Sequence, residues 1–329
     1  MWNRRGILGA LALSGIAATW TVRSEPADGL SGDISPVHDP CLIKGDGLYH
    51  VFCTSQLRDG LIHWRTSPDR LNWTFKGAVM QRFPEWVIDE IPDTRGAWAP
   101  DISYVDGRYL LYYSASLFGK NHSVIGLLTT DTLDTTHPDF GWKDEGLVIR
   151  SREGDRYNAI DPNHFVDADG AHWLTFGSFW SGLQLVRLDP ATGKPKKGAS
   201  VRRIAGRSAP GAIEAPFIFR RGDWYYLLAA YDFCCRGVNS SYYTCVGRAA
   251  SATGPYVDDT GKKLTDGGGK VLLRASETDR FKGPGGASVF AENGDFFIVY
   301  HAYDAEAQGK AILRIQKLDW TADGWPVAA

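Results

Sequence analysis

The chain has 329 residues, is 43% hydrophobic and carries a formal net charge of -2. That balance excludes the clustered basic surface that nucleic-acid or anionic-membrane binding requires. Aromatic residues make up 12%, with 12 Trp against 2 Met, and flat rings of this kind both fill β-sheet cores and stack on sugars.

The first element in chain order is a targeting segment. Arg4 and Arg5 precede an apolar run from Gly6 to Trp20, too short for a comfortable membrane span. The order Asn3-Arg4-Arg5-Gly6-Ile7-Leu8 resembles a twin-arginine export signal. Residues 1–32 are therefore read as export signal and short linker, with a periplasmic or secreted destination. No A-x-A cleavage site follows, so removal and anchoring both stay open, and no later stretch is apolar enough to cross a bilayer.

From residue 33 to 329 the chain repeats itself, and this sets the fold class. A Gly-containing turn leads into an aromatic-rich strand five times: Asp46-Gly47, Asp106-Gly107, Asp169-Gly170, Arg221-Gly222 and Asn293-Gly294. Such dipeptides before β-branched and aromatic runs signal hairpins. A second element precedes each hairpin: His38-Asp39-Pro40, Ala99-Pro100-Asp101, Ile160-Asp161-Pro162, Glu214-Ala215-Pro216 and Pro284-Gly285-Gly286. Its acidic residues lie 62, 60 and 53 positions apart, room for a four-stranded sheet with loops. Five such sheets closing radially make an all-β, five-bladed β-propeller in one domain.

In a propeller the start of each innermost strand lies near the axis, so these carboxylates are expected at equivalent positions around one funnel. Asp101 reads equally well as a turn-former. Asp39, Asp161 and Glu214 sit in apolar surroundings, where an unpaired charge is costly. The run Gly211-Ala212-Ile213-Glu214-Ala215-Pro216-Phe217 buries a carboxyl, which raises its pKa and suits a general acid. Five cysteines leave at least one unpaired. Cys41 and Cys53 flank one hairpin and could bridge in an oxidising compartment, and Cys234-Cys235 is a neighbouring pair.

Several segments in order resemble the arabinanases of glycoside hydrolase family 43, over residues 35 to 325. They are Val37-His38-Asp39-Pro40, Gly96-Ala97-Trp98-Ala99-Pro100-Asp101, Leu117-Phe118-Gly119-Lys120-Asn121, Asn158-Ala159-Ile160-Asp161-Pro162, Phe176-Gly177-Ser178-Phe179-Trp180-Ser181-Gly182 and Cys234-Cys235-Arg236-Gly237-Val238-Asn239-Ser240. The resemblance implies an inverting hydrolase, acting on α-1,5-linked arabinan or its oligosaccharides and expected to be endo-acting and monomeric. It implies Asp39 as general base, Glu214 as general acid, and Asp161 as the group that tunes and orients the acid. Inversion needs room for water, with acid and base roughly 6.5–9.5 Å apart. It also implies that Phe118, Gly119, Asn158, Ala159, Ile160, Ser178, Phe179 and Trp180 line sugar subsites; Trp98 is a further candidate to stack on a sugar, and Cys235 and Arg236 to border the cleft.

One departure stands out. Many arabinanases carry a Gly-His-Asn sequence in the last blade, whose His helps hold a cation on the propeller axis. Here the stretch is Gly283-Pro284-Gly285-Gly286-Ala287-Ser288, with Gly286 where that His stands. His301 is the remaining metal candidate, although its place on an alternating strand reads as a hydrogen-bonded core His. No cofactor is expected for the chemistry. The rival readings are an exo-acting α-L-arabinofuranosidase or β-xylosidase of the same family, a non-catalytic sugar-binding propeller, and a retaining fructosidase.

Overall fold

The computed structural model describes residues 29–328, so the export-signal reading falls outside the described residues. The chain forms five sheets, each a meander of four consecutive antiparallel strands. Blade one is built by Cys41–Gly45, Leu48–Cys53, Leu61–Ser67 and Asn72–Met80. Blade two is Gly96–Val105, Arg108–Ser116, Ser123–Thr130 and Lys143–Ser151. Asn163–Val166, His172–Phe176, Leu183–Asp189 and Arg202–Ala205 make blade three, and Ile213–Arg221, Trp224–Tyr231, Tyr243–Ala249 and Lys270–Leu273 make blade four. Blade five is Phe281–Glu292, Asp295–Asp304, Lys310–Trp320 and Pro326–Ala328.

The hairpin signals act as their chemistry requires. Asp46 and Gly47, Asp106 and Gly107, and Asn293 and Gly294 all have positive φ, as both central residues of a type I′ turn must. The other two turns differ: only the Gly of each pair, Gly170 and Gly222, has positive φ.

Side chains alternate across each strand, so every blade presents one apolar face to each neighbour. In Arg108–Ser116, Leu111 and Tyr113 pack toward blade one, and Leu110 and Tyr112 toward blade three. The same alternation fills the remaining interfaces, between blades three and four, four and five, and five and one. This last cluster joins Val51 and Trp73 to Val299 and Leu313, and it closes the ring. Closure is reinforced by the residues ahead of blade one: Val37 N donates to Ala311 O at 3.0 Å, and Leu313 N donates to Ile34 O at 2.9 Å. Ser31–Gly32 pairs with Asn72–Trp73, so the propeller starts two residues before the expected boundary at Asp33.

The cysteines correct one reading. Cys41 lies opposite Phe52 in the ladder, so Cys53 points to the other face. Cys41 packs between blades one and two and Cys53 between blades one and five. Both are free, as is Cys245, and the one disulfide among the described residues joins Cys234 to Cys235.

Candidate active site

All five blades supply the wall of a small axial cavity of about 30 Å³, through Asp39, Ala99, Asp161, Ala215 and Gly286. Those five residues share a backbone feature, a positive φ between 41° and 57°. At this kink the inner strands bulge: the ladder slips between Trp98 and Asp101, between Glu214 and Phe217, and between Gly285 and Ser288. A bulge re-aims side chains out of the regular pleat. The expected equivalence of the acidic positions therefore needs adjusting. Asp39 and Asp161 occupy the kink, Glu214 stands one residue before it, and Asp101 two after.

The register shift separates their chemistry. Asp101 is buried, and its carboxylate accepts from His164 N at 2.7 Å and Asn163 Nδ2 at 3.2 Å. It stitches blade two to blade three, and burial pushes its pKa up to about 7. Asp39, Asp161 and Glu214 remain partly exposed.

Asp39 is the well-supported anion. Its Oδ2 accepts from Thr54 Oγ1 at 2.7 Å and from His38 Nδ1 at 2.8 Å. Burial opposes ionisation, but the His38 contact, His301 and Thr54 outweigh it and bring the pKa down to about 2. Glu214 and Asp161 move the other way. Burial raises Glu214, with the Asp39 charge adding to it, against hydrogen bonds from Ser178 Oγ to Oε2 at 2.7 Å and Tyr242 Oη to Oε1 at 2.8 Å. Asp161 rises well above the carboxylate range through burial and then the charges of Glu214 and Asp39. Its Oδ2 accepts from Ala215 N at 3.0 Å, beside Glu214. The site thus sets one firm carboxylate, Asp39, against two carboxyls held toward their protonated forms.

A search against family models matches residues 35–326 to Glycosyl hydrolases family 43. The chain belongs to glycosyl hydrolase family 43. It is a glycosidase, and its relatives agree in length as well as sequence. It is 42% identical over 292 residues to the extracellular endo-α-(1→5)-L-arabinanase 1 of Bacillus subtilis, covering 88% of this chain and 87% of that protein. It is 38% identical over 302 residues to the extracellular exo-α-(1→5)-L-arabinofuranosidase ArbA of Cellvibrio japonicus, covering 88% and 85%. The α-L-arabinanase of Cellvibrio cellulosa complexed with arabinohexaose superposes with a TM-score of 0.86 at 36% identity, covering 90% of this chain and 96% of that one.

The family-derived subsite residues divide in two. Phe118 is 80% exposed and Trp180 42% exposed, and Gly119, Cys235 and Arg236 are exposed too, with the Arg236 guanidinium over Phe233. Trp98 and Phe179 are half-buried. The rest are buried and bonded within the protein. Ala159 has no exposed surface and packs between blades two and three. Asn158 is buried, its side-chain oxygen taken by Ser123 Oγ at 2.6 Å, and Ile160 is buried with its carbonyl bonded to Gly177 N. Ser178 is buried as well and reaches Glu214 instead. Sequence reasoning missed Thr54, Tyr242 and Tyr303: Thr54 and Tyr242 meet Asp39 and Glu214 from other strand ends of the same blade, and Tyr303 reaches His38 from blade five, so no local pattern marks them.

The donors around the axis do not fit the cation that the family resemblance implies. Gly286 offers no ligand, and a Cβ there would stand 2.3 Å from Asp39 Oδ1 at a φ of +57°. His301 Nδ1 accepts from Asp39 N at 3.1 Å, so the proton of the neutral ring resides on the buried Nε2, which then has no lone pair to give. His38 uses both nitrogens, on Asp39 and on Tyr303 Oη. Cys234 and Cys235, near His38, are tied to each other.

Proposed function

We propose that this protein is an exported, inverting endo-arabinanase that hydrolyses α-1,5-L-arabinofuranosyl linkages, with Asp39 as general base and Glu214 as general acid. One observation carries the reading: around a single funnel Asp39 is driven toward the anion while Glu214 and Asp161 are driven toward the protonated form. Opposed environments of this kind assign base and acid. Asp39 Oδ2 is occupied by His38 and Thr54, which leaves Oδ1 to take the proton of a water attacking the anomeric carbon. As that C–O bond breaks, the proton held by Glu214 passes to the leaving oxygen of the next arabinose. Asp161 tunes the acid by competing with it for a proton, and its bond to Ala215 N holds the backbone beside Glu214 so that the acid's carboxyl stays aimed. The leaving alkoxide is poor and the transition state oxocarbenium-like, so both transfers are needed. The donor set around the axis supports chemistry with no cation in it.

Arabinan as substrate is supported by the arabinanase relatives and the arabinohexaose complex of the Cellvibrio neighbour. Phe118 and Trp180 present exposed rings that suit stacking on furanose faces. Export is supported by the described locations of both relatives and by Arg4 and Arg5 ahead of the apolar run. No helix among the described residues is long and apolar enough to cross a membrane. The exo-acting reading is the alternative, favoured by the Cellvibrio japonicus relative. Debranched arabinan separates the two: an endo enzyme releases a ladder of oligosaccharides with a rapid fall in viscosity, whereas one short product from the first minutes sinks the endo assignment.

A further inference from the structure

The general base is oriented from a distance. Asp39 is ionised at neutral pH, so Oδ2 only accepts, and its bond to His38 exists only while His38 carries a proton on Nδ1. Which nitrogen of a neutral imidazole holds the proton depends on what the other one meets. His38 Nε2 lies 2.8 Å from Tyr303 Oη. The same Oη accepts from the backbone N–H of Cys235 at 2.8 Å. Tyr303 Oη accepts that N–H and keeps its own proton to give, so against a neutral His38, whose Nδ1–H faces the ionised Asp39, the hydroxyl donates to Nε2 and holds the imidazole proton on Nδ1. Tyr303 is itself fixed, buried with the ring of His301 edge-on at 5.3 Å. His301 in turn stacks on His38 at 3.6 Å. Cys235 belongs to the turn closed by the Cys234–Cys235 disulfide, and its φ is +65°.

We propose that Tyr303 is a positioning residue of the hydrolysis: anchored on the Cys234–Cys235 turn, it sets the tautomer of His38, which holds Oδ2 of Asp39 and leaves Oδ1 for the attacking water. This rests on the reading of Asp39 as the base. The donors run one way, from Cys235 N–H to Tyr303 Oη, from Tyr303 O–H to His38 Nε2, and from His38 Nδ1–H to Asp39. The titratable groups that face His38 are Asp39, Glu214, His301 and Tyr303; Tyr303 also faces Ser240.

The test is a double-mutant cycle on debranched arabinan with Tyr303→Phe, His38→Asn and both together. Tyr303→Phe keeps the ring, and kcat should fall about tenfold with KM within about twofold, because a hydrogen bond to a charged group is lost at the base and not at the sugar. The acid limb of its pH profile should move up, since Asp39 loses a bond that favours its anion. Asn in place of His38 donates to Asp39 from an amide that has no tautomer to set, so adding Tyr303→Phe there should cost less than about twofold. An equal loss in both backgrounds, or full kcat in Tyr303→Phe, overturns the proposal. Nitrogen-15 NMR of His38 in the unmodified enzyme, which needs no variant to fold, should report a proton on Nδ1 alone at a pH above the pKa of His38, which Asp39 raises; a neutral ring with its proton on Nε2 overturns it. Asp39→Ala distinguishes the two possible failures. Activity retained there removes the base assignment, whereas a dead Asp39→Ala beside a fully active Tyr303→Phe removes only the role of Tyr303.

Discussion

Tyr242→Phe removes a single oxygen next to the acid. The ring is buried and its hydroxyl donates to Glu214 Oε1 at 2.8 Å, a bond that favours the ionised form and holds the pKa of Glu214 below where burial alone would put it. A hydrogen bond to a charged group contributes about 1.5–3 kcal/mol, and one pKa unit is about 1.4 kcal/mol. Glu214 is partly exposed at the funnel and keeps its bond to Ser178, so the lower end applies and the shift is about one unit upward. The acid must be protonated to act, so the alkaline limb of kcat/KM moves to higher pH by about that amount. The acid limb, set by Asp39 on the other side of the funnel, stays in place. Initial rates on linear arabinan from about pH 4 to pH 9 follow the alkaline limb, with the plateau on its acid side as the reference, and thermal melts exclude a folding defect. An alkaline limb that stays put or moves down would refute the reasoning, since Tyr242 would then not be bonded to the ionised acid.

Other expectations follow from the same structure. Chelator should leave both activity and melting temperature within error, because Gly286 and His301 supply no ligand on the axis; complete inactivation that calcium reverses would contradict this. Burial, then His172, brings the pKa of His164 down to about 3, so the folded state binds fewer protons than the unfolded one below about pH 6.5. Stability should fall as pH drops through this window, and His164→Gln should flatten the fall in melting temperature between pH 6.5 and pH 4.5. Replacing Arg4 and Arg5 with Lys should trap the protein in the cytoplasm, and normal export of that variant would remove the twin-arginine assignment.

The fold was legible because its signals are local. Asp46-Gly47, Asp106-Gly107 and Asn293-Gly294 need two positive φ values in succession, and few other dipeptides supply them. The three carboxylates were legible because they recur at blade-length intervals. Their exact placement was not: the one-residue offset of Glu214 comes from a bulge, which depends on how two strands pair. The network that gives each carboxyl its charge was hidden for the same reason. Ser178 and Tyr242 reach Glu214 across 36 and 28 residues, and Tyr303 reaches His38 across 265. Residues 158–160 carry the family pattern around Asp161, yet Asn158 and Ala159 serve by packing and by bonding Ser123 and Ser151.

The assignment of acid and base is tested most directly by Glu214→Ala and Asp39→Ala on two substrates, linear arabinan and an aryl α-L-arabinofuranoside with a good leaving group. Arabinan cleavage should fall by roughly 10²–10⁴-fold or more in both variants. The aryl substrate departs without a proton, so Glu214→Ala should cleave it at a rate close to that of the unmodified enzyme. Asp39→Ala should fail on it, because both substrates need the activated water. Equal damage to both substrates in Glu214→Ala, with either substrate spared in Asp39→Ala, would contradict the account.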